Sequence, residues 1–502
     1  MKNVMNKRFI IEIMLLLVVI SGLWSCYDDK GNYDYKNLIS LQIDTSGIKA
    51  EQTAYQFENF NVPVDVKYAG DEKNLSYEWK IYPQEPKKDD DVQKYDSAVV
   101  LYTKAVFDTV IYEVPGAYYL TLTVTDKAQD LKDYFTIKLN VETLVSRGLC
   151  VMDEKNGLYD LNMIKSAKLL TDITIEEEQV YYHVYSGVND TEVTNGKFLG
   201  RGTSSDNNVL YFFTENGGLK LDVNTYEITS NDFTSWFSFP MSVTAAPGAY
   251  VITSRPLEMI VTNGLVYVWD HMSMGVTTFG DRLDGDYEAA PYLPNISTSS
   301  FSSVIFDMKN KRFAPINQFG SNVGTFESTS TGEFDLNDIG STKELKFMEN
   351  GFNSYTYAVF YDTETSGYSL YVMDFSGTTA TPVKKYSMAE CEGLTESSLY
   401  TFGNQGNVCF YASGSDLYQY KYASTNKGAV VHSFSGETIT GVEVFKNSGH
   451  AKDGKLLIVS TESGGEGKVY LVDFNELTGA ITGGTTDPYT GFGRIVDVLY
   501  KE

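Results

Sequence analysis

Basic residues, cysteine and histidine are all scarce in this 502-residue chain. Lysine and arginine number 40 against 66 aspartates and glutamates, a net charge of −26. So acidic a chain repels phosphate backbones, which excludes nucleic acid as a partner. The four histidines, His183, His271, His432 and His450, include no pair at metal-ligand spacing. Neither His-Glu-x-x-His nor Gly-x-Ser-x-Gly occurs, and no Gly-x-x-x-x-Gly-Lys is followed by the Ser or Thr that completes a phosphate-binding loop, so no catalytic or phosphate-binding motif is present. Gly464-Gly465-Glu466-Gly467-Lys468 is glycine-rich but lies between two strand patterns and reads as a turn. Asp281-Arg282-Leu283-Asp284-Gly285-Asp286 gathers carboxylates around a glycine, as a calcium loop would. It lacks the alternating spacing of an EF-hand and reads as a solvated acidic loop. Structural calcium is thus the one cofactor left open. Cys150, Cys391 and Cys409 are too widely spaced for a disulfide framework. Cys150 and Cys409 sit within the apolar strand patterns Leu149-Cys150-Val151 and Val408-Cys409-Phe410, where the thiol serves as a small hydrophobe.

A membrane-spanning run of about 20 apolar residues is also missing. The longest stretch, Ile13-Met14-Leu15-Leu16-Leu17-Val18-Val19-Ile20, follows the basic head Lys2, Lys7 and Arg8 and has the form of a secretory signal. It runs into Leu23-Trp24-Ser25-Cys26, which resembles the lipobox of bacterial lipoproteins, although Trp24 is bulkier than the usual occupant. The resemblance implies cleavage after residue 25 and acylation of Cys26, and several acyl chains give stable anchoring. Cleavage removes three basic groups and one acidic group, leaving a net charge near −28. Tyr27-Asp28-Asp29-Lys30 resembles the signal that exports lipoproteins of Bacteroidetes to the outer face of the outer membrane.

What is abundant points to β-structure. Tyr (37), Phe (28) and Gly (42) dominate, a composition that suits strands and tight turns. After a linker over 26–41, residues 42–145 read as short strands. Leu75-Ser76-Tyr77-Glu78-Trp79-Lys80-Ile81 alternates with period two and puts Tyr77, Trp79 and Ile81 on one face. Val114-Pro115-Gly116-Ala117-Tyr118 opens a second long alternating strand that ends at Asp126. The tryptophan strand, the Pro-Gly-x-Tyr turn and the strand closing on Asp resemble PKD domains. This resemblance implies an immunoglobulin-like sandwich with Trp79 in its core. Cys26-Tyr27-Asp28-Asp29-Lys30-Gly31-Asn32-Tyr33-Asp34-Tyr35 is similar to the opening of the PKD-like lipoproteins of Bacteroidetes.

From 146 to 502 one unit recurs: an apolar strand, a polar turn and a second strand. Copies begin near 148, 209, 258, 302, 355, 406 and 455, those at 148 and 302 being weak. A period near 50 in an all-β region predicts a seven-bladed β-propeller of four-stranded blades. Ile439–Phe445 would be the inner strand of the last blade. Arg494–Tyr500 has the same alternation with no hairpin after it, and would supply the inner strand of the first blade. Closure of this kind removes exposed sheet edges.

For ligand binding the sequence offers aromatics outside obvious strand positions. These are Trp236 in Asp232–Pro240, Tyr182 in Tyr181–Tyr185, and Tyr287 with Tyr292. Their flat apolar faces and polar tips suit stacking on a sugar or a peptide side chain. The PKD-like resemblance implies an accessory lipoprotein beside an outer-membrane importer of the SusC/SusD type, taking up oligopeptides or oligosaccharides. A polysaccharide-degrading propeller enzyme and an adhesion protein are the alternatives, since carboxylate pairs can be assembled from distant loops.

Overall fold

The computed structural model describes residues 39–502 apart from 86, 90–91, 95–97, 145, 176, 203–208, 254–256, 297–299, 318–319, 328–331 and 484–486. The leader, Cys26 and the acidic residues after it lie outside the described residues. No helix among the described residues is long and apolar enough to cross a membrane.

The first unit is a β-sandwich. Its larger sheet runs in the order Glu51–Tyr55, Leu131–Glu142, Gly116–Asp126, Leu75–Pro83, Val99–Tyr102. Alternation along Gly116–Asp126 turns Tyr118, Leu120, Leu122 and Val124 inward, as the period-two geometry of a strand requires. Trp79 is fully buried against Phe107, with ring centroids 5.2 Å apart, and its indole N–H donates to the Lys104 carbonyl at 3.0 Å. The chain enters at one end of the sandwich, where the Ile39 N–H donates to Gln129 Oε1 at 2.7 Å, beside the turn between the two longest strands. It leaves at the opposite end, after Glu142, toward the second unit.

The second unit is propeller-like: among the described residues seven sheets follow one another from Gly148 to Lys501. Their central hairpins begin at Gly148, Val209, Leu257, Phe301, Thr356, Cys409 and Leu456, within three residues of the predicted starts. Among the described residues the third sheet has three strands and the fourth has two. Their missing lanes are reduced to single bridges, Tyr267 to Arg282, Ala289 to Asp307 and Ile316 to Val323. Short bridged segments carry little periodicity, which is why the copy near 302 is faint in the sequence.

Each sheet packs on the next through its own apolar cluster. Met152 and Met163 of the first sheet meet Leu210 and Phe212 of the second. Ile458 and Leu471 of the last sheet meet Leu149 and Ile164 of the first, so the packing is cyclic. The C-terminal strand Arg494–Lys501 pairs antiparallel with Gly148–Lys155, with Gly148 opposite Lys501 and Val151 opposite Val498. Inner strands also hold one another: Asp497 accepts the Leu199 N–H at 2.6 Å, and Thr401 Oγ1 accepts the Val444 N–H at 3.0 Å.

Lys501 ends that closing strand with 1% of its surface exposed. Its ammonium donates to the Tyr226 hydroxyl at 2.6 Å and lies 4.3 Å from the centre of that ring. Burial pushes the amine down to about 8. The folded chain therefore gives up this proton earlier than the unfolded chain, and stability rises with pH above about 8. Between pH 8 and 9.5 the wild-type protein should gain about 2 kcal/mol relative to Lys501→Met. Parallel urea titrations of the two proteins check this, and equal slopes against pH would refute it.

Candidate ligand site at the junction of sandwich and propeller

Phe57 fixes how the two units meet. It occupies the loop between Glu51–Tyr55 and Asn59–Val62, where its N–H donates to the Ile111 carbonyl at 2.7 Å. Its φ of 67° lies in the left-handed region, which a bulky residue enters only when its surroundings impose it. The ring leaves the sandwich and enters the cluster between the first and second sheets. It meets Tyr112, Tyr181 and Tyr226 edge-on, at 6.1, 6.4 and 6.0 Å. Gly187 allows the close approach, because a Cβ there would come within 2.1 Å of the Tyr112 ring.

Beside this contact lies a cleft of about 690 Å³. Phe57, Tyr112, Tyr159 and Tyr182 line it, together with Asp153, Asp160, Asn162 and His183. The volume falls in the range of small-molecule sites, and the mixture of rings with a few polar groups is typical of them.

The polar groups form a chain of bonds. Asp160 accepts from the Leu161 N–H at 2.8 Å, the Ser186 N–H at 3.0 Å, the Ser186 hydroxyl and His183 Nδ1 at 2.9 Å. Burial works to raise this carboxyl, but His183 and Ser186 outweigh it and hold it below its ordinary value. Asp160 in turn raises the His183 imidazole, favouring the charged ring. The His183 N–H donates to Asn162 Oδ1 at 3.1 Å, and Asn162 Nδ2 donates to Asp153 Oδ1 at 2.8 Å. The other Asp153 oxygen accepts the Gly493 N–H at 2.6 Å. Burial raises Asp153, opposed by those two donors. His183 adopts a φ of 58°, and its side chain is 65% exposed. Ser186, His183 and Asp160 do not form a nucleophilic triad, because the serine hydroxyl donates to the carboxylate. The cluster holds the imidazole outward in a set orientation.

The residues expected to bind ligand separate in the structure. Tyr182 lines the cleft, 37% exposed, with its hydroxyl donating to the Thr490 carbonyl at 2.6 Å. Trp236 does not offer a ring to solvent. It is 2% exposed among Tyr211, Phe213 and Phe233, with Lys220 Nζ 4.8 Å above it. Tyr287 is buried too, donating to the Leu283 carbonyl and accepting the Val266 N–H. Tyr292 is half-buried, with its hydroxyl on the Lys346 carbonyl. In each of the three, packing between sheets has taken the ring the sequence left available. Asp281, Asp284 and Asp286 also diverge: Asp281 caps the Arg282 N–H, and Asp286 pairs with Lys309. No group of three His, Cys, Asp or Glu side chains converges as a metal site among the described residues.

Asp160 and Asn162 had a sequence signal that went unread. They are polar residues set into the otherwise apolar strand Leu158–Lys165. Phe57 and Tyr112 had none, since their role arises only when two distant segments meet.

No curated protein matches the sequence. Among solved structures, a quinonprotein alcohol dehydrogenase-like protein from Bacteroides thetaiotaomicron is similar at a TM-score of 0.51 and 13% identity. The match covers 90% of this chain and 96% of that one. Kluyveromyces lactis Hsv2 aligns at a TM-score of 0.35 and 7% identity, over 68% of this chain and 95% of that one. At 13% identity the first likeness concerns the fold and nothing more. Residues 26–196 match the PKD-like family, a span that takes in the sandwich and both sides of the junction cleft.

Proposed function

We propose that this chain is a surface lipoprotein, anchored through Cys26 in the outer membrane with its body facing the exterior. In this reading it is a non-catalytic, ligand-binding or accessory subunit of a SusC/SusD-type importer of oligopeptides or oligosaccharides. The junction cleft carries the reading. Its rings come from both the sandwich and the propeller, and Asp160, Asn162 and Asp153 are occupied by protein donors. Such saturation suits a site that holds shape more than one that transfers protons. Anchoring beside a pore raises the local ligand concentration even when each contact is weak.

Mass spectrometry of the protein from cells should find Cys26 acylated. Extraction of outer membranes in mild detergent should bring the protein out with a channel-forming partner. Tyr182→Ala should weaken binding of the captured glycan or peptide by about tenfold, the worth of one aromatic contact, as read by calorimetry. Recovery of the protein alone, together with turnover on a glycan panel, would reverse the proposal in favour of an enzyme.

A further inference from the structure

On the other side of Tyr112 a second cleft of about 580 Å³ opens along the sandwich. Its wall is the strand Val99–Tyr102, the last in the larger sheet. Among the described residues no strand pairs with its outer edge. Edges are ordinarily blunted by lysine, proline or cover from a loop, whereas here Val99 and Val100 are 58% and 44% exposed. The floor is aromatic and apolar, with Tyr82, Tyr112 and Val114. Among the described residues the charged groups lining it are Glu113, Asp190 and Glu227, with no lysine, arginine or histidine. Burial raises Glu113 above the ordinary carboxyl value, and a cation beside it would act in the opposite direction.

We infer that this edge is a docking site for an extended polypeptide that adds a strand to Val99–Tyr102, with apolar and basic side chains alternating along it. Strand addition supplies backbone hydrogen bonds, and pockets for alternate side chains supply selectivity. Val99 and Val100 point to opposite faces of the sheet, so an alternating strand sets its apolar residues beside one of them and its basic residues on the other face, toward the three carboxylates. An acidic or heavily hydrated ligand such as a glycan fits neither feature. The site is separate from the Tyr182 cleft and stands whether or not that cleft binds ligand.

The probe is an acetylated and amidated peptide of alternating lysine and valine, eight residues long, titrated into the full chain at physiological salt. Calorimetry should show saturable binding, and hydrogen exchange should slow at residues 99–102. Alternating glutamate and valine, and the Lys-Val peptide N-methylated at every second residue, should each bind at least tenfold more weakly. The variant D190N/E227Q should lose at least tenfold in affinity for the Lys-Val peptide, with circular dichroism unchanged. Tyr182→Ala should leave that affinity as it is. Absence of binding at millimolar peptide, equal binding of the acidic or N-methylated peptides, or protection elsewhere in the chain would overturn the inference.

Discussion

Phe57→Ala is expected to uncouple the sandwich from the propeller while leaving each folded. The ring is 7% exposed and lies inside a cluster that otherwise belongs to the first two propeller sheets. Truncating a buried phenylalanine typically costs about 3–5 kcal/mol, and here the loss falls on the contact between units. Calorimetry should then show two transitions where the wild type shows one, and small-angle scattering should report a larger radius of gyration. Phe57→Gly gives a useful contrast. Glycine accepts the φ of 67° at Phe57 without strain, so this variant should be about 1 kcal/mol less destabilised than Phe57→Ala. A single transition at the wild-type temperature in both variants would show that the interface rests on other contacts.

Removing residues 494–502 is expected to abolish cooperative folding of the propeller, a larger effect than any single substitution. The strand Arg494–Lys501 pairs with Gly148–Lys155 from Gly148 as far as Glu154, and Ile495 and its neighbours fill the cluster between the last and first sheets. Its loss would expose an apolar edge and break the cycle of packing at one point, and open edges of this kind invite aggregation. Soluble yield should collapse, and adding a synthetic 494–502 peptide during refolding should restore part of it. A truncated protein that melts like the wild type would mean the ring needs no closure by this strand.

The large-scale architecture was legible because it rests on periodicity. Alternation in Tyr118 to Val124 and the hairpins at Val209, Thr356 and Leu456 write their burial directly into the residue pattern. The closing strand was legible for the same reason, being an alternating segment without a hairpin. Ligand residues were not. Trp236 and Tyr182 look alike in sequence, each an aromatic in a ring-rich connection between strands. What separates them is the neighbouring sheet, which covers Trp236 with Tyr211 and Phe213 and leaves Tyr182 at the rim of the cleft. The junction itself joins residues near 57, 112, 160 and 183, and no local pattern announces contacts of that range.

The position of Ile39 bears on how a membrane-bound form would behave. It sits at the end of the sandwich remote from the propeller, and the strand Gly116–Asp126 between the two ends spans about 35 Å at the usual rise per residue. Were Cys26 the anchor, the thirteen residues 26–38 could reach no farther than about 45 Å. The ring would then stand off from the lipid surface by at least the length of the sandwich. Which side of the ring faces the bilayer would be decided by whatever the ring docks against, since the anchor would attach at the far end of the sandwich.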